Sequence, residues 1–293
     1  MKKTLLLSML ALVCIAGAAQ NRPGPQIPMD PISLPASDLY TVEQRDITNS
    51  EGKNLYGIAF IPKTDGKKKV PLVIMSHGFG SSHTLFTTYG QTLAENGIAA
   101  YCFDFYGGSP RTRSEGTMAE MSVLTEKSDL ESVFKTASAW EFVDRKNIFL
   151  CGESQGGFVS ALAGASLGRK VRGMILFYPA FHIPVTMLKI YPERNPQHVN
   201  YPEFMGAPVS VKYPIEAFDL NSSEICRNFK GDVLIMHGDE DALVDLRYAI
   251  QAQKDYPHAS LKIIEGANHG FFDPEQIEKV KGYMLGFLAE QTK

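Results

Sequence analysis

Between residues 55 and 290 the chain alternates between short apolar runs and longer stretches with apolar residues three and four apart. The runs "LYGIAFIP" (55–62), "VPLVIMSHG" (70–78), "IAAYCFDF" (98–105), "NIFLCG" (147–152), "VRGMILFYP" (171–179), "DVLIMHG" (232–238) and "SLKIIEG" (260–266) read as strands. Helices are predicted over 82–97, 129–143, the stretch after Ser154, 245–256 and 274–290. In the second of these, Leu130, Val133, Phe134, Ala137 and Trp140 fall on one face. The middle strands are apolar almost throughout, as strands covered on both faces are. Strand–helix alternation of this kind predicts an α/β fold: a mostly parallel central sheet with helices on both faces.

Two stretches break the rhythm. Residues 180–229 form a long excursion rich in proline and in Tyr, Phe, Met and Ile, with no long periodic element. Long excursions inside a compact domain tend to be binding loops or lids, and a lid is the expectation here. At the other end, Lys2 and Lys3 precede the apolar run "TLLLSMLALVCIAGAA", which closes on small residues. That is the pattern of a cleavable signal peptide over 1–19, and the run is short for a membrane span. Residues 20–38, rich in proline, are expected to be an extended linker, leaving 39–293 as the folded domain. The expected location is periplasmic or secreted, with no stable membrane insertion after cleavage. Cys14 does not make a lipobox, because Val13 stands where a small residue is needed.

Composition narrows the partners. The 293 residues are 44% hydrophobic and 21% charged, with a formal net charge of −3 and no basic block, which argues against nucleic acid. Cys102, Cys151 and Cys226 remain after the signal peptide, and apolar surroundings make them buried, inert thiols. No Cys or His pair has metal-ligand spacing, so neither metal nor cofactor is expected.

The chemistry gathers at "NIFLCGESQGGFVSALAG". Gly152-Glu153-Ser154-Gln155-Gly156 fits G-x-S-x-G, placed where a buried strand turns into a helix. Such a turn lifts a serine hydroxyl above the sheet, and glycines two residues to either side relieve its crowding. A serine hydroxyl needs a base, and the base needs an acid to orient it. Later strand ends supply both: "HGDEDALVD" offers Asp239, Asp241 and Asp245, and "EGANHGF" offers His269. Asp239 lies closest to the strand and Asp245 reads as a helix cap. Asp241 has no evident structural task and is chosen over its neighbours. Backbone amides of Gln155 and of Phe79, which follows His77-Gly78 after an earlier strand, are the candidate oxyanion donors. The remaining histidines receive plain readings: His237 as a hydrogen-bonded strand end, His83 and His258 as surface residues at helix ends, His182 and His198 as solvated loop residues.

Together "SHGFG", "FDFYGGSPRTRSEGTMAEMSVLTEKSDLESV", "NIFLCGESQGG", "HGDEDALV" and "IIEGANHGF" resemble bacterial cinnamoyl/feruloyl esterases of the α/β-hydrolase superfamily. The likeness covers most of residues 55–290. It implies an α/β-hydrolase fold with a small lid inserted after the sixth strand. It also implies a serine esterase cleaving hydroxycinnamate esters of plant polysaccharides without a cofactor. Residue by residue, Ser154, Asp241 and His269 match the family's triad, and Phe79 and Gln155 its oxyanion donors. Glu153 departs from the pattern, since the family commonly has His there. Related expectations are an acetyl xylan esterase or general carboxylesterase and a prolyl-oligopeptidase-like peptidase. A non-catalytic binding protein on the same fold is the reading from a different class.

Overall fold

The computed structural model describes residues 30–34, 36–66, 68–195 and 203–292. The expected signal peptide, linker residues 20–29 and His198 lie outside the described residues.

The strands that carry the molecule are β1 (Tyr40–Gln44), β2 (Gly57–Pro62), β3 (Val70–Ser76), β4 (Ala99–Phe103), β5 (Val143–Glu153), β6 (Gly173–Phe177), β7 (Asp232–Gly238) and β8 (Ala259–Ile264). They form one 8-stranded sheet in the order β1-β2-β4-β3-β5-β6-β7-β8. β2 runs antiparallel to both of its neighbours, and the other pairings are parallel. Alternation along each strand sends side chains to opposite faces. Leu72, Ile74 and Leu150 enter one core, while Val73, Met75, Phe149 and Cys151 enter the other. The first core is closed by α2 (Val123–Ala137), α3 (Ser154–Leu167) and α7 (Arg247–Asp255), the second by α1 (Thr87–Glu95) and α8 (Pro274–Gln291). Burial from Gln155 to Gly164 runs all round α3, which explains why no polar stripe marks that helix in the sequence.

Several expectations shift. Edge strand β1 is absent from the sequence reading, because only Tyr40 of its five residues is fully buried and no apolar alternation announces it. Helix α2 starts six residues before the predicted 129. Ser122 and Thr125 form a capping box there, each side chain bonding the other's backbone amide. It also ends earlier, because Trp140 and Phe142 belong to the turn into β5. The described parts of the excursion after β6 hold more regular structure than its sequence suggests. They contain α4 (Ile183–Ile190), a two-strand ribbon of Glu203–Phe204 with Ala207–Pro208, α5 (Lys212–Ala217) and α6 (Ser222–Asn228). All are too short for a periodic signal. The end of the linker is not simply extended: Pro31–Ser33 form a single turn, and Asp30 pairs with Arg113 at 2.9 Å.

The three cysteines are buried and free. Burial raises all three thiols, Cys226 to about 12, so they are not thiolates at neutral pH.

Candidate active site

β5, β7 and β8 end side by side, and the loops that leave their carboxyl ends bring distant residues together. Ser154 begins α3 with φ 49, a left-handed conformation that costs a serine about 1–3 kcal/mol. Close packing around the elbow imposes it. A Cβ on Gly152 would collide with the carbonyl oxygen of Gly156, and one on Gly156 with the carbonyl oxygens of Ser76 and His77. The glycines of G-x-S-x-G are there because the backbones of β3 and β5 and the first turn of α3 meet with no room for a side chain.

His269, on the loop after β8, places Nε2 3.0 Å from Ser154 Oγ and Nδ1 2.8 Å from Asp241 Oδ2. Asp241 lies on the loop after β7, its side chain shielded from solvent. Oδ1 accepts the amides of Leu243 at 2.9 Å and Val244 at 2.8 Å. His237 Nε2 lies 3.3 Å from Oδ2 and 2.8 Å from Val244 O. Both of those neighbours are acceptors, so His237 Nε2 carries a proton. Burial alone would raise the Asp241 carboxyl, but hydrogen bonds from His237 and His269 and the charge of His269 hold it well below the usual carboxylate range. An ionised Asp241 accepts a hydrogen bond from the Nδ1–H of His269, which leaves the Nε2 lone pair facing the serine hydroxyl.

The rival aspartates do other work. Asp239 Oδ1 accepts the Gly266 amide at 2.7 Å, and exposed Asp245 accepts the Arg247 amide at 2.9 Å at the start of α7. Asp241 is the one of the three bonded to His269.

The amides of Phe79 and Gln155 have no acceptor among the described residues. Gly78, next to Phe79, donates its amide to Glu153 Oε1 at 2.9 Å. The other Glu153 oxygen accepts the Tyr178 hydroxyl at 2.7 Å. Tyr178, at φ 36, sets its ring 4.7 Å from the His269 ring. Glu153, only 6% exposed, thereby ties the loop that carries Phe79 to the residue packed on His269. Its departure from the family pattern was visible in the sequence, whereas its partners were not.

Gln155 is held from the opposite side. Its Oε1 accepts the Tyr213 hydroxyl at 2.6 Å, and its Nε2 donates to Glu126 Oε2 at 2.8 Å. Burial pushes the Glu126 carboxyl well up, partly opposed by that Gln155 bond, so the group stays protonated well above the usual range. Phe79 packs 5.2 Å from Phe204 and 6.1 Å from Tyr213. Phe204 and Tyr213 both belong to the excursion after β6, so that segment touches both residues whose amides stand free.

Two histidine readings change. His83 is buried, not a surface residue: its amide and Nδ1 both bond Asp104 Oδ1, at 2.7 and 2.9 Å. His182 is half-buried beside the site, and burial together with the charge of His269 lowers it to about 4. His237 is bonded at a strand end and His258 is exposed, as expected.

Ser154 and His269 open into a cavity of about 690 Å³. Met205, Leu243 and Phe272 line it, and each is close to half exposed or more. Apolar side chains left open at a cleft mark a place for an apolar ligand group. The described residues hold no group of three or more His, Cys, Asp or Glu able to bind a metal.

This sheet order, with a serine at the elbow after β5 and its partners after β7 and β8, carries the assignment. The chain has the α/β-hydrolase fold. The family model for serine aminopeptidases, S33, matches residues 67–202. Est1E from Butyrivibrio proteoclasticus, solved with ferulic acid bound, is 26% identical with a TM-score of 0.73, over 83% of this chain and 99% of its own. An acetyl xylan esterase from Paenibacillus sp. R4 shares the fold at 15% identity and TM-score 0.67, over 86% of this chain and 84% of its own. A Paleococcus ferrophilus monoacylglycerol lipase does so at 20% and 0.62, over 81% and 99%. No match is found among curated protein sequences. This hydrolase is a serine hydrolase with esterases among its structural neighbours.

Proposed function

We propose that the protein is an exported esterase that cleaves hydroxycinnamoyl esters, of the kind attached to plant polysaccharides, through an acyl-enzyme. The observation that carries the reading is the continuous line from Ser154 Oγ through His269 to Asp241, at 3.0 and 2.8 Å, together with two amides, of Phe79 and Gln155, that have no acceptor among the described residues. Ser154 Oγ attacks the ester carbonyl while His269 Nε2 takes its proton. Asp241 stabilises the imidazolium that forms. The Phe79 and Gln155 amides donate to the oxygen as it becomes negative, an effect worth about 3–4 kcal/mol per donor. His269 then returns the proton to the departing alkoxide. Water, deprotonated by the same imidazole, releases the acid and restores the serine.

The hydroxycinnamoyl choice is supported by the ferulic-acid-bound neighbour and by the apolar rim of Met205, Leu243 and Phe272. Segment 180–229 acts as the lid, with Phe204 and Tyr213 its inner contacts. Export is supported by the Lys-Lys start and the apolar run that follows.

The experiment is hydrolysis of methyl ferulate, 4-nitrophenyl acetate and an aminoacyl 4-nitroanilide by the wild type and Ser154→Ala. Turnover of methyl ferulate, lost by a factor of about 10⁴ or more in the variant, is the expected result. Good acetate turnover with none on ferulate removes the hydroxycinnamoyl reading. Anilide cleavage in preference to both esters removes the esterase reading, and activity that survives in the variant removes the mechanism.

A further inference from the structure

Among the described residues, the cleft around Ser154 is lined by two arginines and no lysine. They are not equivalent. Arg113 is already neutralised: its Nη1 lies 2.9 Å from Asp30 Oδ2, it also donates to the Tyr56 hydroxyl at 2.6 Å, and its guanidinium lies 4.6 Å from the Tyr56 ring centre. Arg111 has no carboxylate partner among the described residues. Its guanidinium makes one long bond, Nη2 to Gly80 O at 3.4 Å.

The backbone that presents Arg111 is firmly held. Its amide donates to Ser109 Oγ at 3.0 Å, and that hydroxyl donates in turn to Gly80 O at 3.0 Å. The Gly80 amide returns a bond to Gly108 O at 3.1 Å. This stitching fastens the Arg111 loop to Gly80, the residue after Phe79, whose amide is the proposed oxyanion donor. Arg111 and Ser154 line the same cavity, so one ligand can touch both. The cleft's two carboxylates are both engaged, Asp30 by Arg113 and Glu153 by Gly78 and Tyr178. Among the described residues one uncompensated positive charge remains at the cleft, on a residue whose planar fork matches a carboxylate.

We propose that this cleft is built for an ester that also carries a carboxylate, and that Arg111 binds that carboxylate. The inference rests on the esterase reading above and adds a substrate class to it. The acid stands on the acyl side of the ester or on the alcohol side, where an acidic sugar would place it.

Two matched pairs of substrates separate these sources. On the acyl side, mono-4-nitrophenyl glutarate is compared with 4-nitrophenyl pentanoate. On the alcohol side, carboxymethyl ferulate is compared with ethyl ferulate. For each pair the quantity read is the ratio of kcat/KM, anionic over neutral, at neutral pH. In Arg111→Gln the ratio is expected to fall about tenfold or more in one pair, which names the side, because a hydrogen bond to a charged group is worth about 1.5–3 kcal/mol. Arg111→Lys keeps the charge without the fork and is expected to fall between. In the wild type the same ratio should drop as salt is raised. Ratios in Arg111→Gln within twofold of wild type in both pairs, or a wild-type ratio indifferent to salt in both, overturn the proposal. Loss of the esterase reading has a separate signature: neutral esters turned over equally well by Ser154→Ala.

Discussion

The two sides of the cleft are built by different means. On one side Ser154, Asp241 and His269 stand on loops that leave adjacent parallel strands, and their positions follow from backbone pairing. Asp241 alone receives two amides and two imidazoles. On the other side, Phe204 and Tyr213 come from short helices and a two-strand ribbon, and they reach the site through side chains: a ring against Phe79 and a hydroxyl on Gln155. The first construction is rigid because many backbone bonds share the load. The second depends on a few contacts, so single substitutions there should tune rather than abolish.

That contrast can be broken, beginning where the effect should be largest. Asp241→Asn leaves the shape intact, but an amide cannot accept from His269 and His237 as a carboxylate does. We expect kcat to fall about 10³–10⁴-fold with the fold retained, read by ester kinetics alongside circular dichroism. Next comes the backbone itself. Gly156→Ala drives a methyl into the carbonyl oxygens of Ser76 and His77. It should lose about 3 kcal/mol in denaturant unfolding, the upper end for overpacking. A loss under 1 kcal/mol would show that the elbow is softer than its packing implies.

The remaining predictions concern the supports beneath the insertion. Glu126 is raised when folded, so the native state keeps a proton that the unfolded chain releases above its ordinary value of about 4.3. Its contribution to stability is therefore complete below that pH and is lost as pH rises towards the folded value. Asp129, raised to about 6 by burial against the hydrogen bonds of Asn49 and Tyr106, adds a slope of the same sign from about 3.9 to 6. Glu126→Gln should remove about 1.4 kcal/mol per pH unit of that decline, measured as unfolding midpoints across the range. An unchanged slope would show that Glu126 is ionised in the native state. Smallest is Tyr213→Phe, which strips the Gln155 carbonyl of its donor while keeping the ring on Phe79. It should cost about 1 kcal/mol of stability and lower kcat several-fold with little change in KM. A rise in KM alone would place Tyr213 in substrate binding instead.

Much of this was legible along the chain. The apolar runs gave seven of the eight sheet strands, and the order Ser154, Asp241, His269 with its strand-end spacing singled out residues that do meet. Edge strand β1 escaped because half-solvated strands lack the continuous apolar run of their neighbours. The helices of the excursion escaped because six to eight residues make barely two turns, too few for a period. His83 was misjudged because its sequence neighbours look like a helix start, while Asp104, which buries it, lies on another strand end.

The sequence by itself determined the layered architecture and the nucleophile's turn, because hydrophobic period and glycine placement act over a few residues and leave a local mark. Only the tertiary structure showed that His269 bonds Asp241 and neither neighbouring aspartate, what Glu153 holds in place, and which arginine has no counter-charge among the described residues. Those choices depend on hydrogen-bond distances between residues dozens of positions apart, set by how β5, β6, β7 and β8 line up in the sheet.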